Sequence, residues 1–366
     1  MAMTAAFFSS NTNILSPSSQ CHPPVLSLRS SSTLQFPITH QFRNTSSNTS
    51  TPAAPILTRI SAATTTTADV NDSASISITT SWVEFAEKVS GEWDGFGADF
   101  TAEGQAVELP ESVVPEAYRE WEVKVFDWQT QCPTLATADN TDTPSLTYRS
   151  IKLLPTVGCE ADAATIYSSE ERHISARHGS AFAYAPTGCY VAVDSAVKSI
   201  ELEHCLIDPN NKESRVRVIQ VLDSELKLVR IKVFVEQWYG PFRNGDQLGG
   251  CAIRDSAFAA TERLEASRVC GVWQGTSAVA RFDASHNMIQ QLDDERASKS
   301  IRDEGGLVLL PKQLWSSVKK REDNEITCCE VGWLLDEGRA ITSKCIFSGK
   351  AQLKEIAIAN ETATQI

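Results

Sequence analysis

The chain has 366 residues, a formal charge of −13 and a composition that is 42% hydrophobic and 22% charged, enough apolar material for two domain-sized cores. No apolar run approaches the ~18–20 residues of a membrane-spanning helix, so no transmembrane segment is expected. The acidic balance opposes phosphate backbones, and nucleic acid is not an expected partner.

From Met1 to Ala68 there is no Asp or Glu, Ser, Thr, Asn and Pro dominate, and Arg29, Arg43 and Arg59 are the only strong bases. Such a segment cannot bury a core. An acid-free, Ser/Thr-rich, Arg-poor N-terminus reads as a plastid transit peptide over residues 1–62, cut after Ala62 in Ile60-Ser61-Ala62-Ala63, with a disordered linker over 63–78. Because the leader carries three Arg and no acids, its removal takes the formal charge from −13 to −16. The expected location is the chloroplast stroma. None of the ten cysteines forms a C-x-x-C pair or lies at zinc spacing from a His, so no metal or other cofactor is expected.

Beyond the leader, Ser81 and Glu84 form a capping box ahead of Trp82, Phe85, Ala86 and Val89, one apolar face of a short helix ending at Gly91. Gly91-Glu92-Trp93-Asp94-Gly95 follows, then a strand from Phe96 to Phe100 and a turn at Gly104. Alternation predicts strands at Trp121 to Val125, Ser180 to Ala185, Cys189 to Asp194, Ile200 to Ile207 and Arg215 to Leu222. In the next strand Val229, Ile231, Val233 and Val235 share one face, Arg230, Lys232 and Glu236 the other. A Gly-rich linker spans 240–255. A helix-like stretch from Ser256 to Cys270 then leads into Gly271-Val272-Trp273-Gln274-Gly275. Further strands are predicted at Thr276 to Phe282, Leu307 to Leu310, Ile326 to Leu335, Arg339 to Phe347 and Gln352 to Ala359.

The pentapeptide G-x-W-x-G thus recurs at a spacing of 180 residues. With 18 Gly and 8 Trp in the chain, roughly 0.02 matches are expected by chance, so the chain reads as a duplication. Successive strands with turn-length gaps make an antiparallel meander, whose compact solution is a sheet closed on itself. The expected fold is mainly β: two tandem antiparallel barrels over 79–239 and 256–366, each preceded by a short helix, the second smaller or incomplete.

A short helix followed by G-x-W at the first strand resembles the signature of the lipocalins and the wider calycin group. The tandem arrangement, with Glu236-Gln237-Trp238-Tyr239-Gly240-Pro241-Phe242 and Glu330-Val331-Gly332-Trp333-Leu334, resembles a calycin-like family of unknown function shared by cyanobacteria and plastids, distantly related in structure to the lipocalin-shaped lyases that attach bilins. The resemblance implies that Trp93 and Trp273 plug the barrel ends and that Gly91, Gly95, Gly271 and Gly275 permit tight turns and close approach. It implies an arginine over each plug: Arg230 in the first half, while the last strand of the second has none and offers only the earlier Arg339.

The one dense imidazole and charge cluster, Glu170 with His173, Arg177 and His178, reads as a solvated strand, and no hydrolase elbow, H-E-x-x-H or phosphate loop is present. A non-catalytic protein is therefore the favoured reading. The expected site is the interior of the first barrel, lined by Trp121, Val123, Val229, Ile231 and Val233, with Tyr148, Tyr184 and Tyr190 stacking on a planar ligand. The expected function is binding of a hydrophobic or tetrapyrrole-like small molecule. The alternatives are a chaperone-like or assembly factor acting through protein contacts, and a bilin-lyase-like enzyme. An apolar cavity would favour the binder, and filled barrels with an exposed apolar patch the assembly factor.

Overall fold

The computed structural model describes residues 72–138, 144–156, 165–175, 181–195, 198–246, 258–283, 288–321, 325–336 and 338–364. The expected transit peptide, Arg177, His178 and residues 247–255 of the expected linker lie outside them. Helix α1 (Asp72–Val89) starts nine residues before the expected cap, so Ser81 lies within it and residues 72–78 of the expected linker are helical. The first half continues with β1 (Glu92–Thr101), α2 (Glu116–Glu120), β2 (Asp127–Gln131), β3 (Thr134–Ala138), β4 (Pro144–Leu153) and β5 (Ile166–Ser175). It ends with β6 (Ala181–Tyr184), β7 (Tyr190–Ser195), β8 (Ser199–Ile207), β9 (Ser214–Asp223) and β10 (Leu228–Gly240). The second half has β11 (Gly271–Arg281), β12 (Ile289–Gln291), β13 (Asp293–Arg302), β14 (Leu307–Leu310) and β15 (Leu314–Arg321). It closes with β16 (Ile326–Asp336), β17 (Arg339–Phe347) and β18 (Leu353–Ala363).

Two expectations fail locally. Trp121 to Val125 is not a strand: Pro115 starts α2, the helix formers Glu116 to Glu120 continue it, and Trp121 caps its C-terminus before Glu122 turns the chain at φ 53°. The helix-like stretch before the second motif is reduced to two 3-10 turns, Phe258–Ala260 and Ala266–Arg268. Among the described residues no helix is long and apolar enough to cross a membrane.

The strands form two sheets, antiparallel except for the β12–β6 pair, the first running β12-β6-β7-β8-β9-β10-β1-β2-β4 with β3 and β5 beside β4, the second β13-β11-β18-β17-β16-β15-β14. Each sheet pairs its G-x-W strand with its last strand, β1 with β10 and β11 with β18. Side chains show which way each curls. Tyr148 on β4 and Arg172 on β5 both bond Glu203 on β8, although β9, β10, β1 and β2 lie between in the sheet. Arg302 on β13 likewise bonds Glu330 on β16 across β11, β18 and β17. Strands that far apart meet only if the sheet wraps around that face. Neither wrap closes by backbone pairing: among the described residues β5 does not pair with β6, nor β13 with β14.

The outer backs of the two sheets pack on each other. Ala98, Leu202, Val216, Val218, Ile231 and Val233 share one core with Val331, Ile341, Cys345, Ile356 and Ile358. Polar groups pin this seam: Gln220 donates to Ser316 Oγ at 2.8 Å and to the Glu330 carbonyl at 3.2 Å, and His204 meets Ser343 Oγ at 2.8 Å. Strand β12, from the second half, pairs parallel with β6 of the first. The halves are therefore one folded body, with the apolar layer between the sheets and not only inside them.

Candidate functional site

Both tryptophans of the repeat are buried, and each donates its indole N–H to the carbonyl four residues back, Trp93 to Val89 at 2.9 Å and Trp273 to Val269 at 2.8 Å. Gly91 and Gly271 enter the strands at φ 143° and 130°, where a side chain is disfavoured. Gly95 and Gly275 are needed for contact, since a Cβ would lie 1.9 Å from the Val235 carbonyl oxygen and 1.8 Å from that of Asn360. Opposite each of these two glycines the last strand carries a buried glutamate, Glu236 facing Gly95 and Glu361 facing Gly275.

An arginine joins each glutamate to its indole. The Arg215 guanidinium lies 4.1 Å from the Trp93 ring centre, with Nε 2.7 Å from Glu236. That of Arg302 lies 5.4 Å from the Trp273 ring centre, with Nη2 2.5 Å from Glu361. The two arrive from opposite neighbours. The positions facing Gly91 and Gly271 hold Thr134 and Arg302, and those facing Glu236 and Glu361 hold Arg215 and Ala340. A Thr/Arg pair in one half thus stands against an Arg/Ala pair in the other, each keeping a cation between indole and carboxylate.

These arginines are not the expected ones. Arg230 is exposed and six residues along β10 from Glu236, about 20 Å at strand rise. Arg339 is exposed and pairs with Asp336. The sequence signal that would have found Arg215 is its setting: Arg215 and Arg217 sit in a strand buried on both faces, and buried cations demand buried acids.

The rest of the first concave face is an ionic network. Glu203 accepts from Tyr148, from Tyr190 at 2.7 Å, from Arg217 at 3.2 Å and from Arg172 at 3.0 Å. Arg217 reaches on to Glu236 through Nε and Nη2, both at 3.0 Å. Burial raises the Glu203 carboxyl, but Arg217, Arg172 and the two hydroxyls outweigh it and bring it down to about 2. Burial, then the Glu203 charge, pushes Tyr148 and Tyr190 well above the usual phenol range. The carboxylate stays ionised and the phenols protonated near neutrality, so this network holds no proton suited to acid–base exchange.

The expected ligand-lining residues are dispersed. Tyr148 and Tyr190 face the interior but are committed to Glu203, and Tyr184 packs on Trp82 and Phe85 at 4.9 and 5.1 Å. Ile231 and Val233 are buried in the back that meets the second sheet. Trp121, Val123 and Val229 are 63%, 46% and 53% exposed. The expectation assigned the apolar face of each strand to the barrel interior; in β10 that face meets the partner sheet, and the charged face turns inward. His173 points away from the network, with Nδ1 2.8 Å from Thr147 Oγ1, and Glu170 is exposed.

Arg172 crosses the open seam between β5 and β6, bonding Asp194 on β7 at 3.0 Å as well as Glu203 and Glu201 on β8. Arg172→Met is expected to loosen β5 by about 1.5 kcal/mol, the worth of a charged hydrogen bond. Faster hydrogen exchange confined to Ile166–Ser175 would show this; unchanged exchange there would mean the seam is held by other contacts.

A cleft of about 850 Å³ lies elsewhere, between the halves. The β9–β10 turn (Leu226, Lys227, Leu228) and Ala102 with Glu103 form one wall; Leu307, Val308, Val318, Lys320 and Ala351 form the other. Leu226 is buried there, Leu307, Val308 and Val318 are half-buried, and Glu103, Glu225, Lys227 and Lys320 are exposed.

No family model and no curated protein matches the chain. Among solved structures it is similar to a protein of unknown function from the DUF3598 family of Nostoc punctiforme PCC 73102, at 14% identity and a TM-score of 0.46, over 78% of this chain and 99% of that one. It is similar at a TM-score of 0.17 and 8% identity to MucB in complex with MucA(peri), over 77% of this chain and 92% of that one. Neither likeness carries information about function.

Proposed function

We propose that the protein is a non-catalytic binder of an apolar small molecule bearing acidic groups, of which linear tetrapyrroles are one class, and that the ligand sits in the cleft between the two calycin-like halves. The observation that carries this reading is the cleft of about 850 Å³, within the range of roughly 300–1,000 Å³ typical of ligand sites. Leu226, Leu307, Val308 and Val318 supply the apolar contact; Lys227 pairs with Glu225 at 2.6 Å, and the exposed Lys320 is where a ligand carboxylate would lie. The buried ion pairs of Arg215, Arg217, Glu203 and Glu236 on the concave face of the first half argue against the barrel itself as the container of an apolar ligand. A stromal location rests on the composition of residues 1–62 alone.

Native mass spectrometry of the protein after incubation with biliverdin is expected to retain one ligand per chain. Val308→Arg should weaken binding at least about tenfold by placing a charge on the apolar wall. Lys320→Glu should weaken biliverdin more than its dimethyl ester. No retained mass with the unaltered chain would overturn the reading and favour an assembly factor acting through protein contacts.

A further inference from the structure

β1 and β2 are adjacent antiparallel strands, a pairing that a short turn can join, but between them the chain leaves the sheet over residues 102–126. Excursions of that length in a folded domain are functional or disordered. This one is built. The Leu109 N–H donates to the Val125 carbonyl at 2.8 Å and Lys124 pairs with Glu108 at 3.4 Å, which closes a stem. Beyond the stem the chain passes through a 3-10 turn, Glu111–Val113, and through α2.

The tip presents an indole to water. Around it the backbone is fixed: the Trp121 N–H donates to the Ala117 carbonyl at 3.1 Å, the Glu122 N–H to that of Arg119 at 3.1 Å and the Val123 N–H to that of Tyr118 at 2.8 Å. The Tyr118 ring meets the indole edge-on with centres 6.3 Å apart, and its hydroxyl donates to the Thr156 carbonyl at 3.2 Å, tying the tip to the segment after β4. Trp121 is nonetheless the most exposed tryptophan among the described residues, and Val107 and Val123 of the same excursion are exposed as well. An aromatic side chain held this way loses little freedom on binding, and tryptophan is among the residue types enriched as anchors of protein interfaces.

The surroundings select the charge of the partner. Residues 102–126 carry six glutamates against Arg119 and Lys124, all of them exposed. Lys124 is committed to Glu108, and among the described residues Glu111, Glu116, Glu120 and Glu122 have no ion-pair partner, with Arg119 alone to offset them. A second copy of the chain would bring the same acids, and a nucleic acid or an anionic lipid surface would bring phosphates, so all three are repelled.

We propose that this tip docks a basic segment of a protein partner that carries an apolar side chain. The apolar side chain packs on the Trp121 indole and Val123, and lysines or arginines on either side of it meet Glu116, Glu120 and Glu122. Trp121 and Val123 do not line the cleft between the halves, so the surface does not depend on what the cleft holds.

Calorimetric titration of the full chain with the peptide LKKLLKL and its acidic counterpart LEELLEL tests the proposal. The basic peptide is expected to bind at micromolar concentration, one per chain, and more weakly as salt is added; the acidic one is not. Trp121→Ser should weaken binding at least about tenfold, with the fold checked by circular dichroism. Glu120→Lys combined with Glu122→Lys should do the same. Tyr239→Ser, at an exposed aromatic ring outside the excursion, should leave binding unchanged. Failure of LKKLLKL to bind, equal binding of LEELLEL, or full binding by Trp121→Ser would each overturn the proposal. So would a dimer that Trp121→Ser dissociates, or attachment of the chain through Trp121 to phosphatidylcholine vesicles in place of the peptide.

Discussion

Glu236→Ala is expected to be among the most damaging single substitutions in the protein, costing about 3–5 kcal/mol by leaving buried cations unpaired. Glu236 is fully buried and bonds Arg215 at 2.7 Å and Arg217 at 3.0 Å. Arg217 would keep Glu203, but Arg215 has no other carboxylate partner among the described residues and would retain only the Trp93 ring at 4.1 Å and Thr134 at 3.2 Å. Arginine does not escape by losing its proton, so the penalty stays in the folded state. The twin position provides the control. In Glu361→Ala, Arg302 keeps Glu330 at 2.6 Å, and the loss should be smaller. Chemical denaturation of both variants decides the point: a Glu236→Ala cost under about 1 kcal/mol, or the reverse ranking, would show that the indole–arginine–glutamate unit is not what holds the first half together.

The same unit marks how far the sequence could be read. G-x-W-x-G stood out because its glycines meet demands that a side chain would violate, a positive φ at Gly91 and Gly271 and a close backbone approach at Gly95 and Gly275. The strand alternation from Val229 to Val235 was equally legible. What alternation cannot say is which face turns inward. Ile231 and Val233 face a second sheet whose approach depends on contacts more than a hundred residues away, such as Gln220 with the Glu330 carbonyl. The assumption of an apolar barrel interior failed because the apolar face had a different destination. Arg302 was overlooked for a related reason: it occupies the position of Thr134, so no search along the last strand would meet it. Trp121 misled through local pattern alone, since Trp-x-Val-x-Val alternates like a strand while the helix formers before it carry the chain into a turn.

The seam between the halves carries its own acid sensitivity. His204 is fully buried, with Nε2 3.3 Å from Gln220 Oε1 and Nδ1 2.8 Å from Ser343 Oγ. The amide oxygen only accepts, so Nε2 holds the ring proton and Nδ1 accepts from the serine hydroxyl. Burial lowers the imidazole to about 4, against the opposing pull of Gln220, Glu203 and Glu330. In the unfolded chain it takes a proton near pH 6.5, so between 6.5 and about 4 the unfolded state binds more protons. Its contribution is constant above pH 6.5 and is lost as the pH falls to about 4, a total of about 3 kcal/mol at about 1.4 kcal/mol per unit. Asp94 and Asp127, raised to about 6 by burial, work in the opposite sense over the same range, since below that pH the folded state holds the extra protons. The wild-type profile therefore mixes both, and the informative quantity is the difference from His204→Gln, which removes only the imidazole. Stability measured by urea unfolding across this range should fall more steeply with acid in the wild type. Parallel profiles would mean that water reaches His204 and that the seam does not exclude a charge.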